Sequence, residues 1–311
     1  MNLSEVFEAR RRIRQYIHLT PLRANPLVPG TYFKMECWQI TGSFKVRGAL
    51  NALFTCRNGA TRFVTASAGN HGLGVTYAAK LLGKKVHIYV PESVVVAKLN
   101  MLKSLGAEVV VAGKDYDDAE QIALRASRDH NWPFIHAFAE PAVIAGQGTV
   151  GLEIMEAMPE VKQVIVPVGG GGLISGVALA IKTMRPQAEV IGVQPEASPA
   201  MYRALQAGKV VECPIGPTSA DGLAGRFVHE RTLEYTRRYV DRIVLVTEPA
   251  IQDAWLWLWR EAKIVAEASA VVGLAALLAN QIPFKRPCVL ILTGSNTSVY
   301  PHEISNQKEQ A

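Results

Sequence analysis

Cysteine is scarce and scattered: Cys37, Cys56, Cys213 and Cys288 form no C-x-x-C pair. That excludes a zinc ribbon or a disulfide framework and leaves ordinary thiols of a reducing compartment. Internal repeats, low-complexity tracts and Pro- or Ser-rich linkers are also absent. No apolar run follows the basic residues near the start, as a secretory signal requires, and a transit peptide would be poorer in acids. Two charge-free runs, 164–181 and 268–284, approach a membrane span in length. The first holds Pro167 and four consecutive glycines, and the second reaches Pro283 just before Lys285 and Arg286. Both read as buried core elements, so no membrane contact is expected and the cytoplasm is the expected location. A dominant charge is missing too, since 33 Lys and Arg stand against 27 Asp and Glu, a net +6. The densest basic cluster, Arg10-Arg11-Arg12 with Arg14, follows Glu5 and Glu8 on one amphipathic helix. That order suits the helix dipole and describes a solvated face, so no nucleic-acid partner is expected.

What is present is a globular composition, 49% hydrophobic and 19% charged, over 311 residues, enough for one large or two medium domains. Short β-branched runs at 62–65, 86–90, 108–111, 164–166, 190–193 and 289–292 alternate with helical patterns at 73–82, 97–105, 117–128, 150–158 and 173–184. Continuous apolar strands alternating with helices predict an α/β protein, its parallel-rich sheets covered by helices on both faces. The stretch 49–139 forms a self-contained series of strand–helix units. Periodicity is compatible with a smaller domain inserted into a larger one but leaves its boundaries open.

Four segments carry candidate chemistry. Val164 to Val168, then Gly169-Gly170-Gly171-Gly172, then Leu173-Ile174-Ser175 is a strand, a glycine loop and a helix start. Glycines let the backbone approach an anion, and the first free N–H groups of the helix point at it. Counting from Gly169 or Gly170, the sixth position is Ile174 or Ser175, so no dinucleotide fingerprint is present; without a lysine it is no nucleotide-hydrolysing loop either. A small monophosphate fits best. In Thr41-Gly42-Ser43-Phe44-Lys45-Val46-Arg47-Gly48, Ser43 is placed to cap a helix and Lys45 sits in its first turn, where exposed amides lower an amine's pKa. Such a lysine is either a Schiff-base former or a solvated surface residue. Ser67-Ala68-Gly69-Asn70-His71 leads from a strand into a helix, either a carboxylate cradle or a capped turn. Leu292-Thr293-Gly294-Ser295-Asn296-Thr297-Ser298 places hydroxyls at a strand's carboxyl end, where parallel sheets collect ligands.

In this order and spacing, the four segments resemble the fold-type II pyridoxal-phosphate enzymes (tryptophan synthase β-like), in particular the threonine/serine dehydratase and serine racemase group. Thr20-Pro21-Leu22 and Ile144-Ala145-Gly146-Gln147-Gly148-Thr149 extend the likeness over nearly the whole chain. The resemblance implies two domains, a large cofactor-binding one from 1–48 and 140–311 and a small one from 49–139. It implies pyridoxal 5′-phosphate as cofactor, an amino acid as substrate and a homodimer or homotetramer. Residue by residue, Lys45 matches the catalytic Schiff-base lysine and Phe44 the residue packed on the ring. Gly169, Gly170, Gly171, Gly172 and Leu173 match the phosphate loop, Asn70 the partner of the ring hydroxyl and Thr293 the hydroxyl beside the pyridine nitrogen. Ser67, Ala68, Gly69, Asn70 and His71 match the loop that holds the substrate carboxylate.

The implied activity is dehydration of a β-hydroxy amino acid such as L-threonine or L-serine: Lys45 takes the α-proton, the β-hydroxyl leaves, and a 2-oxo acid and ammonia result. The family's racemases carry a second serine where this chain has Ala68, which favours the dehydratase over a racemase. A related transferase and a non-catalytic phosphate-ligand binding protein are further alternatives. Gln194 and Ala200 stand where some relatives place metal-binding carboxylates, with Glu196 shifted by two, so no metal site is assigned. Asp221, Gly222 and Glu267 match positions near the cofactor, and Phe138 one bordering the substrate side chain. Only 13 residues follow Ser298, so no appended amino-acid-sensing domain is expected.

Overall fold

The computed structural model describes residues 1–25, 27–56 and 59–297, so Ser298 lies outside the described residues. In chain order the strands are β1 (Leu22–Ala24), β2 (Thr31–Lys34), β3 (Arg62–Ala66), β4 (Lys85–Val90), β5 (Glu108–Val111), β6 (Gln163–Pro167), β7 (Glu189–Pro195), β8 (Arg242–Val246) and β9 (Cys288–Ile291). The longer helices are α1 (Leu3–Ile13), α2 (Lys45–Thr55), α3 (Asn70–Leu81), α4 (Val96–Ser104), α5 (Tyr116–His130), α6 (Pro141–Ala157), α7 (Gly172–Met184), α8 (Ala200–Ala207), α9 (Glu230–Tyr239), α10 (Glu248–Arg260) and α11 (Val272–Leu278). The fold is α/β. No helix among the described residues is long and apolar enough to cross a membrane.

Two sheets organise the chain. The larger runs β1-β2-β9-β6-β7-β8, parallel except for the β1–β2 pair, and the smaller runs β3-β4-β5, wholly parallel. At the centre of the larger sheet, β6 aligns Val164 with Val289 of β9 on one side and with Val190 of β7 on the other. Every residue of β6 and β9 is buried, as strands covered on both faces require. From β6 the chain steps through α7 to β7 and then on to β8, while β9 lies on β6's opposite flank. The carboxyl ends of β6 and β9 therefore flank the point where strand order reverses, the place where open α/β sheets leave a crevice.

Helix ends follow local chemistry. Asn2 and Glu5 form a capping box at the start of α1, which ends in Arg10, Arg11 and Arg12 and buries Val6, Ala9 and Ile13 on one stripe. Asp115 caps α5, accepting from the Asp118 amide. The helices α2, α3 and α7, by contrast, begin without any side-chain cap.

The structure differs from the expected pattern at several elements. The strands β1, β2 and β8 are additional, and α6 starts at Pro141, nine residues before the expected Val150. Its glycines are not breakers, since they seat α6 against its neighbours: a Cβ on Gly146 would lie 2.5 Å from the Arg47 carbonyl oxygen. Ser43 does not cap α2; Phe44 occupies the cap position, and Ser43 is taken up instead in a backbone bridge to Gly294.

Candidate active site

Three uncapped helix starts converge on one cavity of about 330 Å³, a volume suited to a small ligand. Its lining brings together Phe44 and Lys45 at α2, Ser67 to His71 before and within α3, Gly169 to Leu173 at α7, and Thr293 just after β9. Every site residue expected from the sequence thus borders the same space. Asp221, Gly222, Glu267 and Phe138 border it as well.

The glycine loop owes its shape to close contacts. Gly171, the residue before α7, has φ of +91°, a region costly for side chains, and a Cβ there would sit 2.5 Å from Met201 Cε. A Cβ on Gly170 would lie 2.5 Å from the ring of Phe138, which packs over the loop. Behind it, the His136 ring stands edge-on to Phe138 with centroids 4.5 Å apart, and its Nδ1 accepts from the amides of Phe138 and Ala139 at 3.2 Å.

Lys45 is the first residue of α2, and the end of β9 holds that helix start in place. The Phe44 amide donates to the Thr293 carbonyl at 3.1 Å. Lys45 Nζ donates to the Ala137 carbonyl at 3.1 Å and lies 5.4 Å from the Phe44 ring centre. Burial lowers its pKa to about 8, partly opposed by the charge of Glu267. Loss of solvent, more than the helix start itself, tunes this amine. The buried imidazole of His71 faces the Ile135 carbonyl through Nε2 at 3.0 Å, and burial followed by the charge of Lys45 drives its pKa down to about 3. His71 is therefore neutral at physiological pH.

Asn70 opens α3, and its Nδ2 donates to Glu267 Oε1 and Oε2 at 2.9 and 3.1 Å. Glu267 is 7% exposed, and burial pushes its pKa up to about 7, aided by Asp221 and resisted by the Asn70 hydrogen bond. In the carboxylate loop, Ser67 Oγ accepts from the Gly69 amide at 3.2 Å.

A family model described as pyridoxal-phosphate dependent enzyme matches residues 13–294. The chain belongs to the pyridoxal-phosphate-dependent enzymes. It is 41% identical to the L-threonine ammonia-lyase of Thermotoga maritima over 307 residues, 96% of this chain and 76% of that protein. Among solved structures, a threonine deaminase from T.th. matches with a TM-score of 0.91 at 36% identity, covering 97% of this chain and 100% of that one. Maize serine racemase matches with a TM-score of 0.91 at 32% identity, covering 99% and 98%.

The cofactor of this pyridoxal-phosphate-dependent enzyme suits the cavity. An aldehyde needs an unencumbered amine, and Lys45 Nζ has a lowered pKa with the Ala137 carbonyl as its hydrogen-bond partner. A phosphate dianion needs donors without side-chain competitors, and the α7 start, opened by glycines, offers them. Elsewhere, Gln194 is buried and structural, its Oε1 accepting from the Tyr202 amide at 2.9 Å, and Glu196 is exposed. No cluster of three or more His, Cys, Asp or Glu among the described residues is arranged to hold a metal.

Of the outer wall, the sequence pointed to Asp221 but not to its neighbours. Lys98 on α4 pairs with Asp221 at 2.9 Å, Arg226 bonds Asp117 and lies 3.4 Å from Asp115, and Tyr116 donates to Glu120 at 3.1 Å. All of these except Asp115 line the cavity. Lys98, Tyr116, Asp117, Glu120 and Arg226 are polar residues on half-buried or exposed positions of their own helix or loop, so no local pattern marks them.

Proposed function

We propose that this chain is a pyridoxal-phosphate-dependent ammonia-lyase that converts a β-hydroxy amino acid, L-threonine or L-serine, to a 2-oxo acid and ammonia. The observation that carries the reading is Lys45: an amine tuned to about 8 on the wall of a cavity that an uncapped helix start and a glycine loop also border. When bound, pyridoxal phosphate supplies an electron sink for the charge that develops at the substrate α-carbon.

In this reading Gly169 to Gly172 and the α7 amides hold the phosphate, Phe44 packs against the ring, Asn70 donates to the ring hydroxyl and Thr293 meets the pyridine nitrogen. The carboxylate of the substrate rests on the amides of Ser67 to His71, at the uncapped start of α3. Lys45, neutral in an appreciable fraction at pH 7, takes the α-proton at Nζ as general base. The β-hydroxyl is expelled as water, and hydrolysis of the dehydrated product yields the 2-oxo acid and ammonia. Ala68 offers no proton on the carboxylate-loop side, which supports elimination over racemisation.

The smaller sheet supports a division into a domain of residues 49–139 and a second formed by 1–48 and 140–311. Free thiols at all four cysteines fit a reducing, cytoplasmic setting. We take the working form to be a homodimer or homotetramer, which sedimentation of the holoenzyme tests. Ammonia and 2-oxo acid release, measured across threonine, serine, 3-hydroxyaspartate and phenylserine, tests the activity and ranks the substrates. A protein that stays colourless when the cofactor is added overturns the reading.

A further inference from the structure

We infer that Asn296, which does not border the cavity, is a positioning residue that fixes the Asn70 amide with its nitrogen turned toward Glu267 and the cofactor site. The inference rests on the proposed role of Asn70 and assigns it a partner. Asn296 Nδ2 donates to the Thr41 carbonyl at 2.8 Å and to Asn70 Oδ1 at 2.7 Å. A backbone carbonyl only accepts, so the atom of Asn296 facing Thr41 has to be its NH₂. The second hydrogen of that NH₂ then requires an acceptor on Asn70, which settles Oδ1 on the Asn296 side and Nδ2 on the Glu267 side.

The arrangement closes on itself. Glu267 receives Asn70 Nδ2 at 2.9 and 3.1 Å and is also hydrogen-bonded by the backbone amide of Asn296. A flipped Asn70 would aim its NH₂ at the NH₂ of Asn296, donor against donor, and above about pH 7 its carbonyl oxygen would also face an ionised Glu267. The surrounding backbone leaves Asn296 little room to turn. Gly42, at φ of +71°, lets the chain pass against the Asn296 side chain where any Cβ would collide with Oδ1, and Ser295 donates its amide to the Gly42 carbonyl at 2.9 Å. In this proposal one hydrogen of Asn70 Nδ2 is shared by the two oxygens of Glu267, which leaves the other for the cavity that Asn70 borders.

The test uses holoenzyme of wild type, Asn296→Ala, Asn296→Asp, Asn70→Ala and the Asn70→Ala/Asn296→Ala pair. Asn296→Asp keeps the shape but has no side-chain hydrogen for Thr41 or Asn70. The expected result is that both Asn296 variants retain cofactor while its visible absorption band moves toward the near-ultraviolet, in the same direction expected of Asn70→Ala. The kcat/KM should fall about tenfold or more. The double variant should match Asn70→Ala, because the effect passes through that residue. An unchanged band and unchanged kcat/KM in Asn296→Ala overturn the inference. So does an additive effect in the double variant, or cofactor loss in both Asn296 variants while Asn70→Ala retains it. A wild type that binds no cofactor overturns the functional reading instead.

Discussion

Asn70 Nδ2 donates to both carboxyl oxygens of Glu267, at 2.9 and 3.1 Å, and so joins the first residue of α3 to the segment that precedes α11. The contact ties Asn70, on the cavity wall, to a titrating group, because burial pushes Glu267 up to about 7.

That shift has a sign that stability measurements read. Between pH 4.5, where the unfolded carboxyl titrates, and about 7, the native state holds a proton that the unfolded chain has released. Native stability therefore falls as pH rises through this window and levels above it, by on the order of 3 kcal/mol. Glu267→Gln should remove that fall in cofactor-free protein, as seen in thermal midpoints from pH 5 to 8. The subtraction is needed because His71 and His136, driven down to about 3 and about 4, act in the opposite sense in both proteins. Parallel pH profiles for wild type and variant would contradict it.

Lys45 gives the mirror case. Its native pKa of about 8 lies below the unfolded value of 10.5, so the unfolded chain holds the extra proton between those limits. Stability of the cofactor-free protein should rise with pH over that window, and Lys45→Met should abolish the rise. In the holoenzyme, Lys45→Ala should lose the visible band and lower kcat by about 10²–10⁴-fold or more. A variant that keeps both would remove Lys45 from the chemistry.

Two residues beyond Lys45, Arg47 is fully buried and bonds Glu36 Oε2 at 2.7 Å and Glu153 Oε1 at 2.6 Å. Lys34 joins them, with Nζ 2.5 Å from Glu153 Oε2. Burial alone would raise Glu36, but the charges of Arg47 and Lys34 outweigh it and hold the carboxyl below its ordinary value. Arg47→Met leaves two buried carboxylates short of a cation and should cost about 3–5 kcal/mol. Urea unfolding measures the loss, and adding Glu36→Gln should recover part of it.

The same quartet explains part of what the sequence hid. Lys34 occupies a buried place on β2, and a charged residue there masks the apolar signature of the strand. β8 is different: its run Ile243 to Val246 is apolar throughout, a strand signal as plain as that of β6, although its burial is mixed because it lies at the sheet edge. In α6 the pattern Gly146, Gly148, Gly151 resembles a loop because close helix packing, invisible in one dimension, selects those glycines. The ligand-facing motifs were legible for the opposite reason. Gly169 to Gly172, Lys45 and Asn70 sit at strand ends and helix starts, where the backbone demands particular residue types. The outer wall of Lys98, Asp117 and Arg226 depends on contacts between distant elements and left no such mark.

Gly171→Ala probes the loop itself. The substitution combines a φ of +91° with a Cβ 2.5 Å from Met201 Cε and 3.0 Å from Thr232 Cβ. Strain of about 1–2 kcal/mol should weaken cofactor affinity about tenfold or more. Fluorescence titration of the cofactor-free protein checks this, and an unchanged Kd would show that loop conformation does not govern binding.

Ala68 tests the proposed preference for elimination at the substrate α-carbon. It borders the cavity between Ser67 and Gly69, on the loop that opens into α3, and its methyl group can neither give nor take a proton. A racemase needs an acid on the face opposite Lys45, so serine recovered from wild-type turnover should keep its handedness. Ala68→Ser adds a hydroxyl at the edge of the cavity without changing the backbone, and racemisation should rise about tenfold or more relative to ammonia release. Chiral chromatography of residual serine at partial conversion measures both routes in one sample. Equal racemisation by wild type and Ala68→Ser would mean that another group carries the second proton. The preference for elimination would then have to arise elsewhere in the cavity, with Tyr116 on α5 the next side chain to replace.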